Sequence, residues 1–438
     1  MPELFDPQLI KAFKADKKWL ETTKIPIVTV FGTNREDIKG WHGMKENENL
    51  PDVVLSRAHF SMAFGTAVQA WGGGIDHHKA WLVDPTNYVS SKHWQSLLLT
   101  ENIGKTIARY PILKTLKDLI DKFGRQKLPI LDSITPPLLY LTAKIKKPIL
   151  SFHIAAGNLL IEQGKTVLQV ITDPHVRYDY LKHVEDKNLS YCVFDQATKD
   201  DLLEKAAIAG KSIDPARIIV TGPPIDPRIL DCRLKKPAWR SGTLKLCLTT
   251  GGLGTNKTEL LQILDLLLPE LRKKNKDLQL LIYAGTHRDI AQAVKKMAKE
   301  SRVTLSPLKK TKAKLRLIYH PQIVDANELL IKYGFAWAHG FITKPSGDMA
   351  YDAVASGSFL LTLHEWGEWE AVIRQRFEEL GVSRRATVNN LLAQLTSLKA
   401  TQHNTSSFIE RAMLNSHKLD TLYLRGAEKI IKAYQKIA

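Results

Sequence analysis

Apolar and polar positions along the chain fall into two successive strand–helix alternations. The first begins at Pro51 and predicts a strand over Asp52–Ser56, a helix over His59–Trp71 and a strand over Ala80–Val83. After a basic helical region come strands at Pro148–Phe152, Thr166–Thr172 and Leu189–Phe194, a helix over Thr198–Ala209 and a strand at Arg217–Thr221. Upstream, Ile25–Phe31 reads as one further strand and Gly32–Leu50 as a polar loop. Pro223, Pro224, Pro227 and Pro237 disfavour regular structure between Gly222 and Gly242, so that segment reads as a linker. The second alternation has strands at Leu244–Thr249, Leu278–Ala284, Leu315–Tyr319, Phe335–Ala338 and Ser358–Leu363, with helices over Thr255–Lys274 and Asp289–Lys299. Helices over Thr387–Leu398 and Ser406–Lys436 end the chain, and no short-period repeat is present.

Alternation of this kind predicts an α/β fold with two doubly wound, Rossmann-like domains and added C-terminal helices. The expected divisions are an extension over 1–50 with one strand, a first domain over 51–230, a second over 243–385, and helices over 386–438 packing on or between the domains. Such sheets bind ligands at the carboxyl ends of their strands, so two of them are expected to face a shared cleft.

The second alternation contains the densest chemistry. A strand ending near His339 runs into a loop with Lys344, Pro345, Ser346 and Gly347, and a helix begins near Ser346. The next strand, Ser358–Leu363, ends in the polar and aromatic loop His364–Trp369. Helix N-terminal N–H groups above strand ends suit a phosphate or pyrophosphate. The segment TGGLGTN at 250–256 is a second strand end with a glycine turn and a helix start, where Thr255 or Asn256 would cap the helix. It is neither a Walker A loop nor GxGxxG. By itself it is more often an ordinary tight turn; beside the 338–370 stretch it reads as part of an anion site.

Composition narrows the classes. The chain has 438 residues, 44% of them hydrophobic and 25% charged, which describes a globular protein. Three widely spaced cysteines, Cys192, Cys232 and Cys247, suggest neither a disulfide framework nor a zinc site, and fit a reducing cytosol. Met1–Ile25 mixes both charges without an apolar core, so no signal peptide is expected, and no apolar run reaches the ~20 residues of a membrane span. The net charge of +18 implies attraction to polyanions. Ten Lys/Arg stand against three Asp between Lys105 and Lys147, a local +7 interleaved with Ile107, Tyr110, Ile112, Leu113, Leu116 and Phe123. Two readings fit: a helix lying on an anionic bilayer, or a core-facing helix with a solvated basic back. Five Lys/Arg between Lys309 and Arg316 read as a solvated loop. No helix-turn-helix or aromatic stacking platform accompanies the charge, so nucleic acid is not an expected partner.

Five segments, SRAHFSMA at 56–63, SFHIAAG at 151–157, VITDPH at 170–175, VTGPPIDPRI at 220–229 and ITKPSGDMAYDAVASG at 342–357, give the chain a specific likeness. It resembles glycosyltransferases of the GT-B fold, in the group of monogalactosyldiacylglycerol synthase, diacylglycerol glucosyltransferases and the MurG-type N-acetylglucosamine transferase. The resemblance covers approximately residues 50–385. It implies that the carboxy-terminal domain binds a nucleotide diphosphate sugar, most often a UDP-sugar. Gly251, Gly252, Gly254, Thr255 and Asn256, with Ser346, Gly347 and Asp348, would hold the diphosphate, and Lys344 is the nearest cation. Asp352 would meet the ribose where the family has Glu, backbone at Ile323 would meet the base, and Glu368 would meet the sugar, where the family often has an amide.

By the same resemblance the amino-terminal domain takes the acceptor. His59 stands where the family has a histidine acting as general base, although Ser56, Arg57 and Ala58 replace the family's glycines before it. A neutral imidazole suits that role; a structural histidine at a helix start is the plainer alternative. Asp173 and His175 follow a strand and point to the same end, with capping as their alternative, and His153 is placed similarly. His77 and His78 read as a loop. No Asp-x-Asp motif occurs, so neither a metal nor another cofactor is expected. The resulting expectation is an inverting, metal-independent hexosyltransferase. It would move a hexose or N-acetylhexosamine to a hydroxyl of a lipid acceptor, from a cytoplasmic position on the inner face of the cell membrane. An epimerase of UDP-N-acetylglucosamine and a non-catalytic nucleotide-sugar-binding protein are the alternatives. The sequence leaves the oligomeric state open.

Overall fold

The structure is a computed structural model that describes residues 7–33, 52–109, 129–273, 277–401 and 406–438. The chain divides into two compact units. The first comprises Met1–Glu48, Val53–Pro227 and Thr421–Ala438, the second Asn49–Asp52 and Arg228–Asp420.

The first unit is built on six parallel strands: β1 (Ile25–Val28), β2 (Ala80–Val83), β3 (Ile149–Ser151), β4 (Val167–Val170), β5 (Leu189–Val193) and β6 (Ile218–Val220). Their spatial order is β2-β1-β3-β4-β5-β6. Helices α1 (Pro7–Thr22), α2 (Arg57–Trp71), α3 (Ser91–Arg109), α4 (Pro129–Thr142), α5 (Ile154–Glu162) and α6 (Gln196–Ile208) belong to this unit. Helix α1, within the extension read as holding one strand, buries Leu9, Phe13 and Leu20, and the Phe13 ring lies 4.4 Å from that of Tyr140 on α4. The C-terminal helix Gly426–Ile437 packs on α2, and the Tyr434 hydroxyl donates to the Pro148 carbonyl at 2.8 Å.

The second unit holds seven parallel strands: β7 (Leu244–Thr249), β8 (Leu278–Gly285), β9 (Leu305–Ser306), β10 (Leu315–Tyr319), β11 (Gly340–Thr343), β12 (Phe359–Thr362) and β13 (Ser383–Arg385). Their order is β13-β12-β11-β7-β8-β10-β9. Helices here are α7 (Pro227–Leu234), α8 (Lys257–Arg272), α9 (Arg288–Glu300), α10 (Ile323–Leu330), α11 (Met349–Ala355), α12 (Glu368–Glu379), α13 (Leu391–Lys399) and α14 (Phe408–His417). β11 and β12 are buried along their whole length, and β12 lies within the apolar run Ser358–Leu363.

Four sequence expectations change. Asp52–Ser56 is not a strand; Val54 makes one isolated bridge to Gly32, and its N–H is taken instead by the Glu101 carboxylate at 2.8 Å. Phe335–Ala338 is not a strand either. Ile331–Phe335 continues α10 as a wider helical turn, and the strand begins only at Gly340. The proline-rich 222–242 segment contains α7, with Pro227 at its first position, where a missing N–H costs nothing. The helix expected over Ser406–Lys436 is two helices, separated by a turn at Thr421–Tyr423.

The basic runs divide as well. Residues 110–128, with Lys114, Lys117, Lys122, Arg125 and Lys127, lie outside the described residues, as does most of the loop expected over 32–50. Within 309–316 the four lysines are exposed, but Arg316 is fully buried on β10. Its guanidinium stacks 4.3 Å from the Trp337 ring and donates to the Leu308 carbonyl at 2.9 Å. One cation of the supposed solvated loop is therefore part of the core.

Candidate functional site

Strand order locates a crevice in each sheet. In the second unit the chain runs from β7 outward through β8 to β10, then returns to lay β11 on the other side of β7. The turns after β7 and β11 therefore diverge at the carboxyl edge, which opens the binding position of a doubly wound sheet. Those turns are 250–256 and 344–348. They are in contact: a Cβ added to Gly251 would lie 2.9 Å from Lys344 Cε and 2.6 Å from Thr255 Oγ1. Only a glycine lets the lysine stem pass so close.

The glycine turn is closed by Gly254 N–H donating to the Gly251 carbonyl at 2.9 Å, with Gly254 at φ +69°. Asn256 is also left-handed at φ 62°. Its amide donates to the Glu259 carboxylate and to the His364 carbonyl, and His364 N–H donates back to Glu259 at 3.3 Å. The first turn of α8 is thereby tied to the loop after β12. Gly252 lies in the same turn. The Thr255 hydroxyl is buried with no hydrogen-bond partner among the described residues.

No side chain caps the helices that start along this edge, α8 at Asn256, α11 at Asp348 and α12 at Gly367. Ser346 donates instead to Asp348 Oδ1 at 2.7 Å, and Ser346, Gly347, Asp348 and Asp352 are all buried around the seven-residue α11. Lys344 Nζ lies 2.5 Å from Glu370 Oε1, and the fully buried Glu370 accepts Trp366 N–H at 2.6 Å through its other oxygen. Glu368, singled out from the sequence, is exposed at the first position of α12, so the inward carboxylate of this loop is Glu370. Ile323 begins α10 beside β10, and its N–H donates to the Asp52 carboxylate at 2.8 Å. His287, which the sequence reading passed over, follows β8 and donates from Nε2 to the Gly251 carbonyl at 3.1 Å. Its place directly after a strand of the second alternation was the available signal.

In the first unit the switch lies between β1 and β3, because β2 and β3 flank β1 on opposite sides. The turn after β1 is 29–33, and the turn after β3 carries His153. His59, on α2, reaches the same place: its ring lies 4.9 Å from that of His153, at 89°. Ser56 caps α2 by accepting His59 N–H at 3.3 Å, and His59 Nδ1 lies 3.3 Å from the Val30 carbonyl. His153 is the first residue before α5 and does not cap it with its side chain. Asp173, after β4, accepts from the Arg177 guanidinium at 3.3 Å, an ion pair within its own loop; His175 is half-buried two residues on. Among the described residues no group of three or more His, Cys, Asp or Glu is placed to hold a metal ion.

Solved structures share this architecture. An S. aureus MnaA–UDP co-structure is 14% identical and superposes with a TM-score of 0.50 over 94% of this chain and 97% of that one. The fold is GT-B. A UDP-GlcNAc 2-epimerase from Neisseria meningitidis bound to UDP-GlcNAc is also 14% identical, at TM-score 0.49 over 94% and 99% of the two chains. MurG from Acinetobacter baumannii is 12% identical, at TM-score 0.47 over 94% and 99%. Neither a family model nor a curated protein matches the chain. Within the GT-B frame, β7 to β13 form the carboxy-terminal sheet and β1 to β6 the amino-terminal one.

Proposed function

We propose that the protein is a glycosyltransferase that moves a hexose or N-acetylhexosamine from a nucleotide diphosphate sugar, with UDP as the nucleotide, to a hydroxyl of an amphipathic lipid. The observation that carries the donor half is the second unit's switch point. There the Gly251 turn and the Lys344–Asp348 turn lie side by side, at a sheet edge whose helix starts have no side-chain caps. Backbone donors aimed at one place stabilise the charge that develops on a leaving diphosphate. The S. aureus structure of the same fold is a complex with UDP, which favours that nucleotide.

In the acceptor half, His59 takes the proton of the attacking hydroxyl while the sugar carbon is displaced in one inverting step, with no metal required. The lipid class rests on α3, where Leu99 and Ile103 stand exposed one turn apart and Lys105 and Arg109 follow on the same helix. No helix among the described residues is long and apolar enough to cross a membrane. The proposed contact with lipid is peripheral, on the cytoplasmic face. An epimerase acting on a UDP-sugar is the second reading, favoured by the fold shared with a putative UDP-N-acetylglucosamine 2-epimerase from Listeria monocytogenes, 15% identical at TM-score 0.50, and it needs no acceptor.

Calorimetric titration with UDP, and with GDP, TDP and ADP as controls, tests the donor half. Selective binding that is lost on Gly347→Val or Asp352→Ala is the expected result. Turnover of a UDP-sugar with no acceptor present would select the epimerase, and binding of none of the four would leave a non-catalytic protein.

A further inference from the structure

The His59 imidazole is oriented by a backbone carbonyl, and a carbonyl oxygen can only accept. With Nδ1 3.3 Å from the Val30 oxygen, the neutral ring carries its proton on Nδ1, and Nε2 becomes the nitrogen able to take one. Free neutral imidazole side chains favour the opposite tautomer. The protein therefore imposes this one, and the question is what holds the Val30 carbonyl.

The answer lies in the same peptide plane. Val30 C=O and Phe31 N–H belong to one rigid unit and point in opposite directions. Phe31 N–H donates to Asp84 Oδ2 at 2.7 Å, and Gly32 N–H donates to the same oxygen at 3.2 Å. The other oxygen, Oδ1, accepts Thr86 N–H at 2.8 Å and lies 2.7 Å from the Thr86 hydroxyl, itself 2.7 Å from the Gly32 carbonyl. Asp84 stands just after β2, and its carboxylate is buried at 3% exposure. A charged acceptor on the N–H side fixes the plane and makes the carbonyl on the far side a stronger acceptor. Burial has raised the Asp84 pKa to about 6, so the carboxylate is retained there at a cost and is ionised at neutral pH.

We propose that Asp84 is a positioning residue that sets the His59 tautomer through the Val30–Phe31 peptide, and so makes Nε2 the proton-accepting nitrogen. This rests on the reading of His59 as the general base. Asp84 does not touch the imidazole; it acts on the one peptide unit between them.

Nitrogen-15 spectra of histidine-labelled protein at pH 8 test the relay without a substrate. Wild type is expected to show His59 protonated on Nδ1. Asp84→Asn, which turns one carboxylate oxygen into a donor facing amide N–H groups, is expected to move at least half of the His59 population to the Nε2-protonated form and to lower transfer about tenfold, with UDP affinity unchanged. Should Asp84→Asn fail to fold, Thr86→Val removes the hydroxyl from the other carboxylate oxygen, leaving it only the backbone N–H of residue 86, and is expected to produce a smaller, measurable Nε2-protonated population. An Nε2-protonated His59 in wild type, or an unchanged tautomer in whichever variant folds, overturns the proposal. UDP titration on the same samples separates the two layers: absent UDP binding sinks the transferase reading and leaves the tautomer result standing.

Discussion

The crevice between β1 and β3 and the crevice between β7 and β11 arise from the same reversal of strand order, yet they are furnished oppositely. The first brings together two imidazoles 4.9 Å apart and surrounds them with fully specified backbone, including an α2 start capped by Ser56. The second offers a glycine turn, a lysine stem packed against it and helix starts that no side chain caps. Groups that move a proton must be held in one protonation geometry, so their surroundings are spoken for. On the proposed reading, groups that receive a diphosphate must leave backbone donors available at the helix starts, and the starts of α8 and α11 have no side-chain caps.

That division implies that the units fail separately. Replacing His59 by Gln removes the proton acceptor and is expected to lower transfer by about 10²–10⁴-fold while leaving UDP affinity within a factor of two. Paired rate and titration measurements check this, and normal transfer would remove His59 from the base role. In the second unit the largest effect is on folding. Glu370→Gln strands Lys344 against a buried amide and is expected to cost about 3 kcal/mol, the lower end for a broken buried pair because Lys344 keeps some solvent contact. Denaturant unfolding measures it, and a cost near zero would mean that the pair is not what holds the 344 turn. Gly251→Val keeps both charges of that pair but drives a side chain into the Lys344 stem. UDP affinity is expected to fall about 100-fold, or about 2.7 kcal/mol, with the His59 tautomer unaffected.

The two crevices were not equally legible in the sequence. Strands such as Ala80–Val83, Leu244–Thr249 and Leu315–Tyr319 sit where their apolar runs placed them, because buried parallel strands have few polar positions to blur their ends. The run Phe335–Ala338 was misread because four apolar residues fit a helical turn as well as a strand, and here they follow α10. The glycine turn was visible because it is local: Gly251, Gly254 and Asn256 lie within six residues. The His59–His153 pair was visible only as two separate candidates, since strand order, not sequence distance, makes them neighbours. Glu368 and Glu370 both stand in the loop the resemblance gives to the sugar, and Glu368 was put forward; residues two apart on a helix point to different sides, and only burial shows that Glu370 faces in. Asp84 gave no signal beyond ending a strand.

A last comparison takes one buried charge from each unit. Asp84 has its pKa raised by burial from 3.8 to about 6, and Lys236 has its own lowered by burial from 10.5 to about 7. Lys236 is enclosed at the opposite edge of the second sheet, where its amine donates to Ser358 at 2.8 Å and Ser356 at 3.2 Å. Between pH 4 and 6 the folded protein holds the Asp84 proton more tightly than the unfolded chain does. Stability from this group therefore falls as pH rises through that window and then levels off. Between pH 7 and 10.5 the unfolded chain binds the lysine proton more tightly, so stability rises with pH, by at most about 1.4 kcal/mol per pH unit. The two groups thus tilt stability in opposite directions on either side of neutrality. Denaturation midpoints measured across pH should lose the alkaline rise in Lys236→Met and the acid fall in Asp84→Asn, each without touching the other. Retention of the alkaline rise in Lys236→Met would assign it to a different group and leave Lys236 charged in the fold, held by the hydroxyls of Ser356 and Ser358.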